Sequence, residues 1–221
     1  MMHHGLIPHF SLEKVLFSAY VIDDWNNICS QFADLGMKAV FTGHFHAQDI
    51  VEQKVKSHGI YDIETGSLVT YPCPYRMITL TNRKMEIKTE TIRDIDFDTK
   101  GKPFPQYAAD FLTKGLSELV PHFLAGLLVS QKISINNALT ETAQLEESRL
   151  TSSCTVRDLA VDAFKSHYVG DEVFDESRSN IVSAMKASSD LKLKLVGNVI
   201  YSLYNDPPPA DNNVTLNLSP E

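Results

Sequence analysis

The stretch MKAVFTGHFHA (residues 37–47) decides how this chain is read. A short run of branched and aromatic residues ends at Thr42-Gly43 and reads as a strand, and two histidines spaced two apart follow at once. Upstream, Trp25, Ile28, Cys29, Phe32 and Leu35 recur at helical spacing behind Asp23-Asp24, which are expected to cap the helix, and Gly36 stands where a helix ends. A helix followed by a strand that delivers GHFH at its C-terminal end is α/β organisation, and such sheets place their sites at strand ends. Gly43 is expected to give the tight turn that aims His44 and His46.

A second histidine pair opens the chain in MMHHG (residues 1–5). Around these motifs the composition is that of a folded chain: 221 residues, 43% hydrophobic and 22% charged. The net charge of −8, without clustered Lys and Arg, excludes a broad nucleic-acid footprint but not a small phosphate held through metal ions. Cys29, Cys73 and Cys154 lie far apart with no CxxC spacing and are expected to be buried thiols. The longest apolar run, 116–129, is interrupted by Pro121, His122 and Gly126 and falls short of the roughly 20 residues a membrane helix needs. With neither a span nor an export signal, the default compartment is the cytoplasm.

Beyond the second histidine pair the pattern turns to β. Runs at 51–55, 59–63, 68–71, 76–80 and 85–92 are short and separated by turn residues, and they predict an antiparallel meander. DTKGKPFPQ (98–106) reads as a linker, and 107–205 as four or five helices in a bundle or cap, with Thr155 and Asp158 forming a capping box. DPPPADNN closes the helices, and 206–221 is expected to be a mobile tail.

Taken together, MMHHG, the helix, TGHFHA and then YDIETGSLVTYP resemble the C-terminal half of a calcineurin-like metallophosphoesterase domain over residues 1 to about 92, within a unit expected to span 1–97. The resemblance implies a partial two-layer β-sandwich flanked by helices, with two divalent ions (Mn, Fe or Zn) and a phosphorylated small molecule or ester as substrate. It also implies roles. His3 matches the family's lone histidine and His44 the first histidine of GHxH, both on the second ion, while His46 matches the second histidine of GHxH, on the first ion. His4 is expected to face the ligands or the substrate, and is the one candidate for a catalytic rather than coordinating role. Gly5 departs from the proline usual there.

The family's DxH, GDxx and GNH[DE] motifs do not occur in this chain, so the implied bridging carboxylate and leaving-group histidine are not supplied. The expectation is a fragment of a longer phosphoesterase, inactive alone and completed by an N-terminal half or a second copy, or else a degenerate descendant. Two other readings stand beside it: an interaction module working through 107–205, and a mononuclear zinc site of His3, His44 and His46. His9, His58, His122 and His167 are expected to be structural or exposed. Asp94, Asp96 and Asp98 are read as a solvated turn, and Glu172, Asp175 and Glu176 as a charged interhelical loop.

Overall fold

The helix expected at 25–35 forms as α2 (Trp25–Asp34), after a single turn α1 (Glu13–Leu16). Gly36, at φ +84, ends α2 in the left-handed region that favours glycine. The expected acidic cap is not made. Asp24 itself lies at φ 52 and its side chain accepts from the Asn27 side-chain Nδ2 at 2.9 Å, while Asp23 pairs with Lys14 at 2.8 Å. The computed structural model describes residues 1–56, 58–205 and 208–218.

Two three-stranded sheets follow from the β pattern. β1 (Ala39–Thr42), β2 (Asp49–Val55) and β3 (His58–Glu64) make the first, in the order β1-β3-β2, with β1 parallel and β2 antiparallel to β3. Residues 2–5 are threaded between β1 and residues 20–22: the Met2 amide donates to the Phe41 carbonyl, the Gly5 amide to Tyr20, and the Ile22 amide to Gly5, all within 2.9–3.0 Å. This threading brings His3 and His4 to the same sheet end as GHFH.

Strand alternation assigns the faces. Val40, Ile60 and Val55 point towards Cys29 and Ala33 of α2, whereas Ile50 and Ile63 point the other way. There they share a buried cluster with Met85, Ile87 and Leu216 of the second sheet, built from β4 (Pro74–Leu80), β5 (Lys84–Thr91) and β6 (Asn213–Asn217).

Two expectations are corrected here. Residues 68–71 form turns rather than a strand, with the Thr70 amide donating to Ser67 and the Cys73 amide to Thr70, and Leu68 and Val69 face solvent. Nor is the C-terminal stretch a mobile tail where it is described: β6 pairs antiparallel with β5 from Asn213 to Asn217 and buries Leu216. A polar sequence concealed this strand, because one apolar side chain is enough to seat an edge of a sheet that is half exposed. Residues 206, 207 and 219–221 of that expected tail lie outside the described residues.

The rest is helical: α3 (Phe104–Ser130), α4 (Ile135–Glu146), α5 (Val156–Val169), α6 (Glu176–Lys186) and α7 (Leu191–Tyr204). Helix α3 starts inside the expected linker, with Pro103 at its N-cap. Thr155 and Asp158 form the expected capping box reciprocally, side chain to backbone in both directions. The helices bury one core, and that core also takes in Phe10, Phe17, Phe45 and Ala47 from the sheet side of the molecule. Among the described residues no helix is long and apolar enough to cross a membrane.

The pairing of β6 carries a stability consequence. Leu216→Ala should lower the unfolding free energy by about 2–5 kcal/mol in denaturant titrations, as a buried leucine does, whereas a mobile tail would register close to nothing.

Candidate metal centre

Two loops leave the ends of parallel backbone segments and meet. The amides of Gly43 and His44 donate to the His3 carbonyl at 3.3 and 3.0 Å, so each histidine pair is fixed to the other through the main chain. The rings then converge. His3 Nε2 and His44 Nδ1 stand 2.5 Å apart, which requires one ring to donate and the other to accept. The ring centroid of His4 lies 5.1 Å from that of His3 and 4.8 Å from that of His44. Tyr20 closes one side, edge-on to His44 at 4.2 Å.

His3, His4 and His44 each offer one ring nitrogen within 4.8 Å of the other two, and His3 and His4 are exposed. Zinc–nitrogen bonds of about 2.0–2.1 Å place ligand nitrogens roughly 3.3 Å apart in a tetrahedron. The spacing present here brackets that value, so small ring rotations adapt this donor set to one borderline-soft cation. Partial burial, followed by the charges of His3, His4 and His46, lowers the pKa of His44 and keeps its nitrogen available as a ligand.

His46 stands apart from this group. Its backbone is left-handed at φ 68, and its Nδ1 lies 3.3 Å from the Thr70 hydroxyl. The turn expected at Gly43 is thus made at His46. Gly43 has another reason to lack a side chain: a Cβ there would come within 3.2 Å of the Thr65 carbonyl. Between the two histidines Phe45 points the opposite way, into the aromatic core against Phe10, Phe17 and Tyr168.

What holds the loops was not foreseen. Asp62 and Glu64, two residues apart on β3, share one face of the strand and are buried. Asp62 Oδ2 accepts the backbone N–H groups of Leu6 and Ile7 at 2.6 and 2.9 Å, and its Oδ1 accepts the Thr42 hydroxyl at 2.5 Å. Glu64 Oε1 accepts the Phe45 amide at 2.8 Å. One carboxyl therefore fixes the chain behind MMHHG and the other fixes the centre of GHFH. The readable signal was YDIE itself, an acidic pair in strand alternation on a strand flanked by apolar neighbours.

Behind this pair lies a buried ionic cluster. His9 Nδ1 is 3.3 Å from Asp49 and its Nε2 3.5 Å from Asp62, while His167 Nδ1 is 3.0 Å from Glu172 and 3.7 Å from Asp49. His9 and His167 are thus structural, as expected, and each is held among buried carboxyls. Burial opposes a proton on His167, yet Glu172 and Asp49 outweigh it and raise its pKa to about 9. Burial opposes charging His9 too, and Asp49 and Asp62 raise its pKa well above the ordinary value. Burial pushes Glu64 up to about 8 against the pull of His9. The side chain of Glu172, expected in a charged interhelical loop, is buried against His167. His122 is exposed, and the His58 side chain lies outside the described residues.

Compared with protein-family models and with curated proteins, the chain matches none.

Two outcomes test this arrangement. Asp62→Ala should cost roughly 3–5 kcal/mol of stability, because it strands two amides and a histidine in the interior. Folded His167 keeps its proton to about pH 9 and Glu64 to about pH 8, against ordinary values of about 6.5 and 4.3. The stability that His167 contributes is complete below pH 6.5 and is lost as pH rises through 9, and Glu64 penalises the fold progressively up to pH 8. Stability should therefore fall with pH from about 4.3 through Glu64 and from about 6.5 to 9 through His167, by up to about 1.4 kcal/mol per pH unit for each proton released. His167→Gln should flatten the alkaline part of that fall.

Proposed function

We propose that this chain binds a divalent cation through His3, His4 and His44 and uses it on a phosphate ester, in the manner of calcineurin-like metallophosphoesterases. The observation that carries the reading is the convergence of two histidine loops at one sheet end, each fixed by its own buried carboxyl, Asp62 or Glu64. The β-sandwich component is supported by the cluster of Ile50, Ile63, Met85, Ile87 and Leu216, which takes side chains from both sheets.

The donor set differs in one respect from what the resemblance implies. His4 joins His3 and His44, while His46 turns to Thr70. Three imidazoles match zinc, iron or copper better than magnesium or calcium, which prefer oxygen. Among the described residues, the three-histidine group includes no carboxylate that would bridge a second ion. A divalent ion in such a site polarises a phosphoryl oxygen and acidifies a bound water. The chain's own residues supply the rest: His3, His4 and His44 offer nitrogens, Tyr20 shields one side, and His46 sits nearby with its ring nitrogen next to the Thr70 hydroxyl.

The test is calorimetric titration of Zn²⁺ and Mn²⁺ into the metal-free chain, repeated with inorganic phosphate. One equivalent of metal should bind. His3→Ala, His4→Ala and His44→Ala should each weaken it by more than the roughly 10–100-fold typical of losing a supporting contact, and His46→Ala should leave it nearly unchanged. Phosphate should bind the metal-loaded chain and not the metal-free one. Metal affinity indifferent to His44→Ala would sink the proposal.

A further inference from the structure

Next to the histidines, between residues 68–73 and helix α3, lies a cavity of about 490 Å³ whose lining is almost wholly apolar. Tyr71, Phe104, Tyr107, Phe111, Leu112 and Leu119 form most of its wall. Several of these side chains are open to solvent, Phe111 at 68% and Leu119 at 47%, with Leu68 at the rim at 57%. Apolar surface collected in a concavity of this size has the dimensions of a small-molecule site, roughly 300–1,000 Å³.

The cavity is joined to the histidine loops at one end. Thr70 lines it, and the Thr70 hydroxyl lies 3.3 Å from His46 Nδ1. Tyr168 lines it too and packs against Phe45, the residue between His44 and His46, with ring centroids 5.8 Å apart. A cation stands at the same rim, Lys165 Nζ lying 5.8 Å from the Tyr71 ring centre. Thr70 is thus the polar group that joins the cavity to the GHFH loop, and most of the remaining lining is aliphatic or aromatic.

We propose that this cavity holds the hydrocarbon part of an amphiphilic phosphate monoester or diester whose anionic head reaches the histidine cluster. The head half of the inference rests on the phosphoester reading above; the tail half rests on the cavity. A partner helix is the poorer occupant on size. Two helical turns, a cylinder of roughly 10 Å diameter and 11 Å length, need about 850 Å³. A single alkyl chain or ring system needs far less.

Binding of methyl, butyl and octyl phosphate, and of octanol, to the Zn²⁺-loaded full chain separates the two halves. Octyl phosphate should bind at least about fifteenfold tighter than butyl phosphate, the equivalent of two further buried methylenes at ~0.8 kcal/mol each. Phe111→Asp and Leu119→Asp, both at exposed positions, should abolish that chain-length dependence and leave methyl phosphate affinity unchanged. His44→Ala should bring octyl phosphate down to the affinity of octanol. Equal affinity for butyl and octyl phosphate, or a chain-length dependence that survives both aspartate variants, overturns the cavity assignment and leaves the phosphoester reading standing if methyl phosphate still binds. Octanol binding as tightly as octyl phosphate, with no methyl phosphate bound, overturns the phosphoester reading and with it this proposal. Self-association that Phe111→Asp abolishes and octyl phosphate does not displace assigns the cavity to a second copy, and overturns it equally.

Discussion

Two carboxyl groups on one strand organise this molecule. Asp62 and Glu64 sit on the same buried face of β3, and each uses one carboxyl oxygen to accept backbone N–H groups of a segment next to or within a histidine motif. A buried amide without a partner costs about 1–3 kcal/mol. The loops therefore have a strong reason to stay where the carboxyls are. Glycine or proline alone would fix a loop's shape but not its place on the sheet. Here position comes from long-range side-chain acceptors more than from local turn chemistry.

Such an arrangement has an electrostatic consequence that shapes the interior. Acids collected on one sheet end, Asp49, Asp62, Glu64 and Glu13, repel one another in a medium that screens poorly, so they need cations or protons among them. His9 comes from the loop after MMHHG and His167 from α5, both with pKa values raised by the carboxyls around them, and burial leaves Glu64 and Glu13 with raised pKa values. Arg76 adds a cation, donating from β4 to the Thr65 hydroxyl at 3.2 Å and to the Glu64 carbonyl at 2.6 Å. The three side chains arrive from three different segments. The cluster thus ties the first sheet, the second sheet and the helices to one another.

Much of this was legible in advance, and the boundary is a physical one. Helix α2, strand β1, the hairpin of β2 and β3, and the capping box of α5 each follow from patterns that are local in sequence: periodicity, a glycine stop, a reciprocal cap. The convergence of MMHHG with GHFH was expected only through the resemblance to a metallophosphoesterase domain, since nothing local to MMHHG announces a strand end. Strand β6 was not readable, since its only buried apolar residue is Leu216 and its partner β5 lies more than a hundred residues upstream. Nor was the choice of His4 over His46, because it turns on a left-handed residue at position 46 that no local preference announces. Histidine tolerates that conformation better than a branched residue does, but does not demand it. The roles of His9 and His167 depend on contacts between segments far apart in sequence, and nothing local marks them.

The alternation H-F-H joins the site to the helices. His44 points to the cluster and His46 to Thr70, so Phe45 must project between them, and it enters the aromatic core of Phe10, Phe17, Phe123 and Phe164. Its amide is held by Glu64 and its ring by Phe10, Phe17 and the α5 residues His167 and Tyr168, so the residue between the two histidines is fixed from both sides of the molecule. His167, one helical turn from Phe164, extends the same contact from aromatic packing into charge by reaching Asp49. Any movement of α5 must therefore displace either the backbone of GHFH or the proton balance behind it. The helical region is part of the scaffold that aims His44 and His46, and a lid hinged freely over them would need a far smaller shared core than this one.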